Sequence, residues 1–294
     1  MTDIGFRGKN GGESRVPVVG TVVIVGVGLM GGSLGLALIE QNAAQEVVGV
    51  DSAGILDAAL AAGAIQRACS GLDDAVKTAD LVVLATPIHT IPQLLQQVSP
   101  LVSEHTIVTD LASVKTAIVD VGERLLGARF IGGHPMAGSE QTGIQSARSG
   151  LYSGAAWAIT PADRAQYASP GVETLCKMVR AIGAAPIVLD PGEHDRAAAL
   201  ISHLPHFICY AYNRTVDSSP DASNALALAA GSYRDLTRVA ASDPVLWRDV
   251  FIENRVFLLE TLRAYQASLA DLENAINSCH PDDVLNAIMR AARR

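Results

Sequence analysis

The sequence predicts an α/β protein, with a doubly wound parallel sheet in its N-terminal half and an all-helical C-terminal domain. Three observations carry this. Short β-branched runs alternate with longer helical stretches from Thr21 to about Thr160, the alternation stops after Pro186–Leu189, and a glycine-rich turn follows the first run directly. Near-continuous apolar strands separated by helices belong to a parallel sheet covered on both faces.

The strand candidates are Val22–Val25, Val47–Val50, Leu81–Ala85, Ile107–Thr109, Phe130–Gly132 and Ala156–Ile159. A last unit runs from a helix at Val172–Ile182 to a strand at Pro186–Leu189. Beyond Glu193 the pattern is helical almost to Arg294, with Asn224–Ala230 and Val250–Leu272 at a 3.6-residue period. Pro205 falls inside the apolar helical segment Ala197–Tyr212, where it removes a backbone hydrogen bond and should bend the helix. The expected division is a disordered tail over 1–18, a nucleotide-binding domain over 19–190 and a helical domain over 191–294. The long apolar helical faces suit either a dimer interface or an ordinary core.

A chain of 294 residues, 49% of them hydrophobic, exceeds the usual span of one compact domain. Its net charge of −8, unrelieved by any Lys/Arg cluster, argues against a nucleic-acid partner. No stretch of about twenty apolar residues occurs, so no membrane association is expected. Cys69, Cys176, Cys209 and Cys279 form no C-x-x-C pair and read as reduced thiols of a cytoplasmic protein.

Gly26, Gly28 and Gly31 form G-x-G-x-x-G between the strand Val22–Val25 and the helix Ser33–Ile39, with Leu29 and Met30 before the last glycine. In that context each glycine has a task. The first permits the tight turn, the second lets a pyrophosphate approach the backbone, and the third lets helix and strand pack closely. The sheet is therefore read as a Rossmann-type dinucleotide-binding domain, against a bland reading as a ligand-free glycine turn. Asp51 ends the second apolar run, where a carboxylate accepts hydrogen bonds from the adenosine ribose and repels a 2′-phosphate. No Arg or Lys follows it through Asp57, so NAD is favoured over NADP. An ordinary strand-end turn residue is the other reading of Asp51.

Three further motifs follow strands: Leu84–Pro87, with Thr86 and Pro87 at its tip, Thr109–Lys115, and Gly132–Glu140. All three are expected to face the nicotinamide. His134 sits in the last of them, in what reads as a Gly/Pro-rich loop where an imidazole is reachable and titrates near neutrality. Position alone leaves it either structural or catalytic. His203 and His206 are three apart on a helix, and His194, nine residues before His203, falls roughly opposite it. That arrangement argues against a zinc site, and no metal is expected.

Five co-linear motifs between Thr21 and Arg263 resemble the prephenate/arogenate dehydrogenase family. They are G-V-G-L-M-G-G-S-L from Gly26, D-L-A-S-V-K from Asp110, G-G-H-P-M-A-G-S-E from Gly132, S-H-L-P-H from Ser202, and Y-R-D-L-T-R-V-A-A-S-D-P-V-L-W-R-D from Tyr233. The resemblance implies an NAD-dependent oxidoreductase of tyrosine and hence aromatic amino acid biosynthesis, a homodimer paired through its helical domain. The implied reaction is oxidative decarboxylation of prephenate to 4-hydroxyphenylpyruvate, or of arogenate to tyrosine. By family position His134 is the catalytic base and Ser113 holds His134 or the substrate's 4-hydroxyl near the nicotinamide. Arg238 binds a substrate carboxylate, with Asp235 one turn before it as an ion-pair partner or gate. His206 is the stronger and His203 the weaker substrate contact; Glu140 and Trp247 lie near the same pocket, Trp247 being equally readable as a core aromatic. The β-hydroxyacid dehydrogenases share a G-x-G-x-M-G opening but use a lysine early in their second domain, and none occurs here between Glu193 and Val239. A non-catalytic NAD sensor would lack part of the set His134, Ser113 and Arg238. With only a short tail and an end soon after the helical domain, any tyrosine inhibition is expected to act at the active site.

Overall fold

The computed structural model describes residues 16–291, so most of the expected tail lies outside the described residues. Val18, the last residue of that tail, already donates its N–H to the Ala43 carbonyl at 2.9 Å. The alternation then runs β1 (Val19–Val25), α1 (Leu29–Glu40), β2 (Ala44–Val50), α2 (Ala53–Ala61), β3 (Arg67–Cys69), α3 (Leu72–Val76), β4 (Leu81–Leu84), α4 (Ile91–Val98), β5 (Ile107–Asp110) and α5 (Thr116–Leu126). These strands form one parallel sheet in the order β3-β2-β1-β4-β5.

Both faces of that sheet are covered, which explains why β1 reads as an unbroken apolar run. Val22 and Ile24 point into one core with Leu34 and Leu38 of α1, while Val23 and Val25 point into the other with Ile91, Leu95 and Ile118 of α4 and α5. Each such side chain contributes roughly 1.5–3 kcal/mol by leaving water. The short strand β3 has no apolar signature; its pairing with β2 and a 2.8 Å ion pair between Arg67 and Glu46 hold it.

The parallel sheet stops at β5. A second, three-stranded sheet follows, made of β6 (Gly132–Pro135), β7 (Ala156–Thr160) and β8 (Ala185–Val188), with α6 (Pro170–Ala181) between the last two. In it β6 runs antiparallel to β7. The strand expected at Phe130–Gly132 thus begins later and continues through His134, so His134 stands on a strand and not in an open loop. Close packing is the reason. A Cβ on Gly133 would lie 2.6 Å from the Asp110 carbonyl oxygen, so only glycine lets β6 pass the end of β5.

The helical domain opens with α7 (Pro191–Ala198), fixed by a capping box in which Asp190 and Glu193 bond each other's backbone N–H groups, with Pro191 at the first position. A five-residue π-helical turn, Ala199–His203, links α7 to α8 (Leu204–Asp217). The disturbance expected at Pro205 therefore falls on the turn before it, where the ring excludes an ordinary α-helical hydrogen bond. Then come α9 (Ala222–Ala227), α10 (Gly231–Thr237), α11 (Pro244–Glu253), α12 (Arg255–Asn277) and α13 (Pro281–Ala291). Over its 23 residues α12 buries Leu258 alone and exposes Val256, Leu259, Leu269, Leu272 and Ile276; α13 exposes Leu285, Ile288 and Met289. Among the described residues no helix is long and apolar enough to cross a membrane.

Candidate active site

The glycine loop sits between β1 and α1. Gly26 has φ +93°, and a Cβ there would meet the Ala85 carbonyl oxygen at 2.7 Å; a Cβ on Gly31 would strike the Gly26 carbonyl. At Gly28 a Cβ would enter open space, with no protein atom within 4 Å. The first and third glycines thus serve the fold, whereas the second keeps a surface free for a ligand. Leu29 and Met30 form the first turn of α1, which has no side-chain cap and no acidic residue, leaving its N–H groups available to a phosphate. Asp51 follows β2 and accepts N–H bonds from Val27 at 2.9 Å and Ser52 at 2.7 Å, so it braces the loop from the side. Thr86 and Pro87 follow β4 beside Gly26, and the Thr86 hydroxyl lies 2.8 Å from that of Thr90.

Beneath β6 lies an ion pair that sequence reasoning passed over. Lys115 and Asp110 are both fully buried and bond each other, and Lys115 Nζ also donates to the Gly133 carbonyl at 2.8 Å. Asp110 in turn accepts the Gly133 N–H at 3.2 Å. Burial pulls the lysine's pKa down and the Asp110 carboxylate opposes that pull. The pair clamps the residue before His134. Its signal was a lysine and an aspartate five residues apart flanking a strand end, a pattern too common to single out.

His134 is 7% exposed. Its Nδ1 lies 2.8 Å from Nε2 of His194, and His194 Nδ1 lies 2.8 Å from the Asp195 carboxylate. Burial, then the neighbouring His194, Lys115 and His203, hold the His134 pKa well below the ordinary imidazole value, so the ring is neutral at pH 7. Asp195 also accepts the N–H of Lys115 at 2.7 Å and of Thr116 at 2.8 Å, joining the start of α5 to the helical domain. Burial alone would raise its pKa; bonds from His194, Thr116 and the two amides outweigh that and leave it lowered.

The helical domain supplies the facing wall. His203 is wholly buried, its Nδ1 2.9 Å from the amide nitrogen of Asn254, and its Nε2 has no partner among the described residues. His206 bonds the Ser202 carbonyl at 2.9 Å and stacks on Trp247 with ring centroids 3.5 Å apart; Trp247 also meets His203 edge-on and packs against the core beneath α4 and α5. Trp247 thus packs on the core while contacting both His203 and His206. Arg238, exposed in the turn after α10, lies close enough to His206 for its charge to join burial in lowering the His206 pKa, against the Ser202 carbonyl.

Three expectations need correction. His194 is not opposite His203: in a straight α-helix nine residues make two and a half turns, but the π turn takes more residues per revolution and swings His203 toward the side of His194. Ser113, half-buried in the loop after β5, makes no hydrogen bond to His134, whose Nδ1 is bonded to His194, so of its two expected roles the one toward His134 is not seen. Asp235 forms no ion pair with Arg238 among the described residues; both are exposed, where such a pair gains little. Glu140 is likewise exposed, on the loop beyond β6. The geometry brings together His134, His203, His206, Trp247 and Arg238, and adds His194, Asp195 and Asn254. The adjacent His194-Asp195 pair just inside a capped helix was the one sequence cue to the added set.

Residues 34–188 match the family described as "Prephenate dehydrogenase, nucleotide-binding domain", and residues 190–291 match "Prephenate dehydrogenase, dimerization domain". A Bacillus subtilis prephenate dehydrogenase is 33% identical over 82% of this chain, which spans 66% of that relative's length. A Zymomonas mobilis cyclohexadienyl dehydrogenase is 31% identical, over 90% of this chain and 91% of its own. A crystal structure of prephenate dehydrogenase from A. aeolicus, in complex with hydroxyphenyl propionate and NAD+, superposes with a TM-score of 0.85 at 29% identity, covering 95% of this chain and 97% of that one. With both domains matched in order and full-length structural agreement, the chain belongs to the prephenate dehydrogenase family.

Proposed function

We propose that the chain catalyses NAD-dependent oxidative decarboxylation of prephenate to 4-hydroxyphenylpyruvate. The observation that carries this reading is His134, a neutral imidazole bonded at Nδ1 to His194 and with no described residue on Nε2, near His203, which meets Trp247 edge-on. Bound NAD supplies the hydride acceptor. The residues that fit it are Gly26, Gly28, Leu29, Met30 and Gly31 for the pyrophosphate, Asp51 for the ribose, and Thr86, Pro87 and Ser113 toward the nicotinamide. Preference for NAD over NADP rests on the Asp51 carboxylate, which repels a 2′-phosphate.

His134 Nε2 takes the proton of the substrate's 4-hydroxyl as the carbonyl develops and hydride leaves the same carbon. The bond to the ring carboxylate then breaks, CO₂ departs, and its electron pair enters the ring to give a phenolate, to which the protonated His134 returns the proton to form the phenol. Aromatisation supplies most of the driving force, so the protein's task is alignment and proton removal. Arg238 pairs with a substrate carboxylate; His206, His203 and Trp247 hold the ring and side chain, with Glu140 at the rim. Ser113 positions the 4-hydroxyl.

Arogenate is the second reading, since the Zymomonas relative of nearly equal length is a cyclohexadienyl dehydrogenase. NADH formation with prephenate and with arogenate, each with NAD and NADP, tests all of this: turnover is expected with prephenate and NAD, and a strong preference for arogenate or NADP overturns the corresponding assignment. The bare apolar faces of α12 and α13 support a homodimer through the helical domain. Sedimentation at twice the chain mass is expected, and a monomer refutes it.

A further inference from the structure

Asp195 is linked to two of the site's three buried histidines by two different groups, each through one intermediary: its carboxylate through His194 to His134, and its main-chain carbonyl through Asn254 to His203. Its carboxylate accepts four hydrogen bonds: from the Lys115 N–H at 2.7 Å and His194 Nδ1 at 2.8 Å on one oxygen, and from the Thr116 N–H at 2.8 Å and hydroxyl at 2.6 Å on the other. A carboxylate so placed only accepts, so the single proton of a neutral His194 stays on Nδ1. Nε2 of His194 is then an acceptor, and the partner 2.8 Å away, His134 Nδ1, must carry the hydrogen. That leaves His134 with a bare Nε2.

The main-chain carbonyl of Asp195 sets the second histidine. It accepts from Asn254 Nδ2 at 2.9 Å, which fixes which end of that amide is nitrogen. The same nitrogen lies 2.9 Å from His203 Nδ1 and donates its other hydrogen there. His203 Nδ1 is therefore an acceptor, and its proton sits on Nε2, a buried donor with no partner among the described residues. A buried donor left unmet is costly, which points to an acceptor supplied by a ligand.

We propose that Asp195 is a positioning residue that holds the two histidines in opposite tautomers: His134 with a bare Nε2 that accepts a proton, and His203 with an Nε2–H that donates to a carbonyl or carboxylate oxygen of the bound ligand. The use of His134 as base rests on the proposed reaction; the tautomers themselves do not. In hydrolytic triads the loss of this kind of tautomer control costs about 10⁴-fold in kcat.

The test is imidazole nitrogen NMR on the folded, ligand-free chain, with the seven histidines assigned by single substitutions. The expected result at neutral pH is His134 protonated at Nδ1 and His203 protonated at Nε2. Either ring in the reverse form, or His134 doubly protonated, overturns the proposal. Asp195→Asn must turn an NH₂ against one of two backbone N–H groups and is apt to unfold, so His194→Gln is the variant of choice. A Gln amide offers His134 either an oxygen or a nitrogen, so mixed His134 tautomers are expected, with kcat down roughly 10- to 100-fold and KM for prephenate within about threefold. An unchanged kcat with a single His134 tautomer refutes the role. His203→Phe raises KM for prephenate if the acceptor oxygen is the substrate's, or KM for NAD if it is the cofactor's; neither rising refutes the donor. Wild-type turnover by His134→Asn would instead sink the proposed reaction while leaving the tautomers intact.

Discussion

Lys115 and Asp110 form an ion pair wholly inside the protein, and the lysine's remaining reach goes to the carbonyl of Gly133, the residue before His134. Removing one partner of such a pair leaves a charge in low dielectric with nothing to offset it. Lys115→Met is expected to lower unfolding stability by about 3–5 kcal/mol, read from denaturant midpoints at unchanged slope. Restoring neutrality with Lys115→Met and Asp110→Asn together should recover part of that loss; a double variant no more stable than the single one argues that packing, not charge, sets the cost.

His134→Asn keeps a polar side chain of similar reach but removes the base. With NAD binding retained, kcat is expected to fall about 10²–10⁴-fold. Equal turnover by the variant would mean that the proton leaves by another route.

Arg238 is exposed and stands beside His206, which stacks on Trp247. Arg238→Gln removes a bidentate carboxylate partner present in both ground and transition states, so KM for prephenate should rise at least tenfold with kcat changed far less. An unaltered KM would place the substrate carboxylate on a different cation.

Acid should destabilise the fold in a window set by its histidines. Burial first of all lowers the His203 pKa to about 4, with His194 and His206 adding to the effect and Asp195 opposing it; His134 is lowered as well, by burial and by His194, Lys115 and His203. In the unfolded chain both titrate near 6.5. The unfolded state therefore binds more protons in this range, and the stabilisation is complete above pH ~6.5 and lost as pH falls toward 4 and below. His203 alone accounts for roughly 3 kcal/mol. Unfolding midpoints from pH 7 to 4 check this, with His203→Phe expected to flatten the acid limb; an equally steep limb in that variant would assign the loss to other groups.

The sequence by itself determined the alternating sheet, the glycine loop and the family, because each is written locally. An unbroken apolar run at β1, a G-x-G-x-x-G directly after it, and co-linear motifs such as that from Gly132 need only neighbouring residues to be read. Tertiary structure alone decided what His134 is. Its loop-like Gly/Pro flanks become a buried strand because Gly133 can slide past the Asp110 carbonyl, a contact between residues 23 apart. His194 reads as facing away from His203 on a regular helix, and a π turn ahead of Pro205 undoes that arithmetic. The relay from Asp195 through His194 to His134 spans 61 positions, and hydrogen bonds across such separations leave no period, spacing or composition in the chain that makes them.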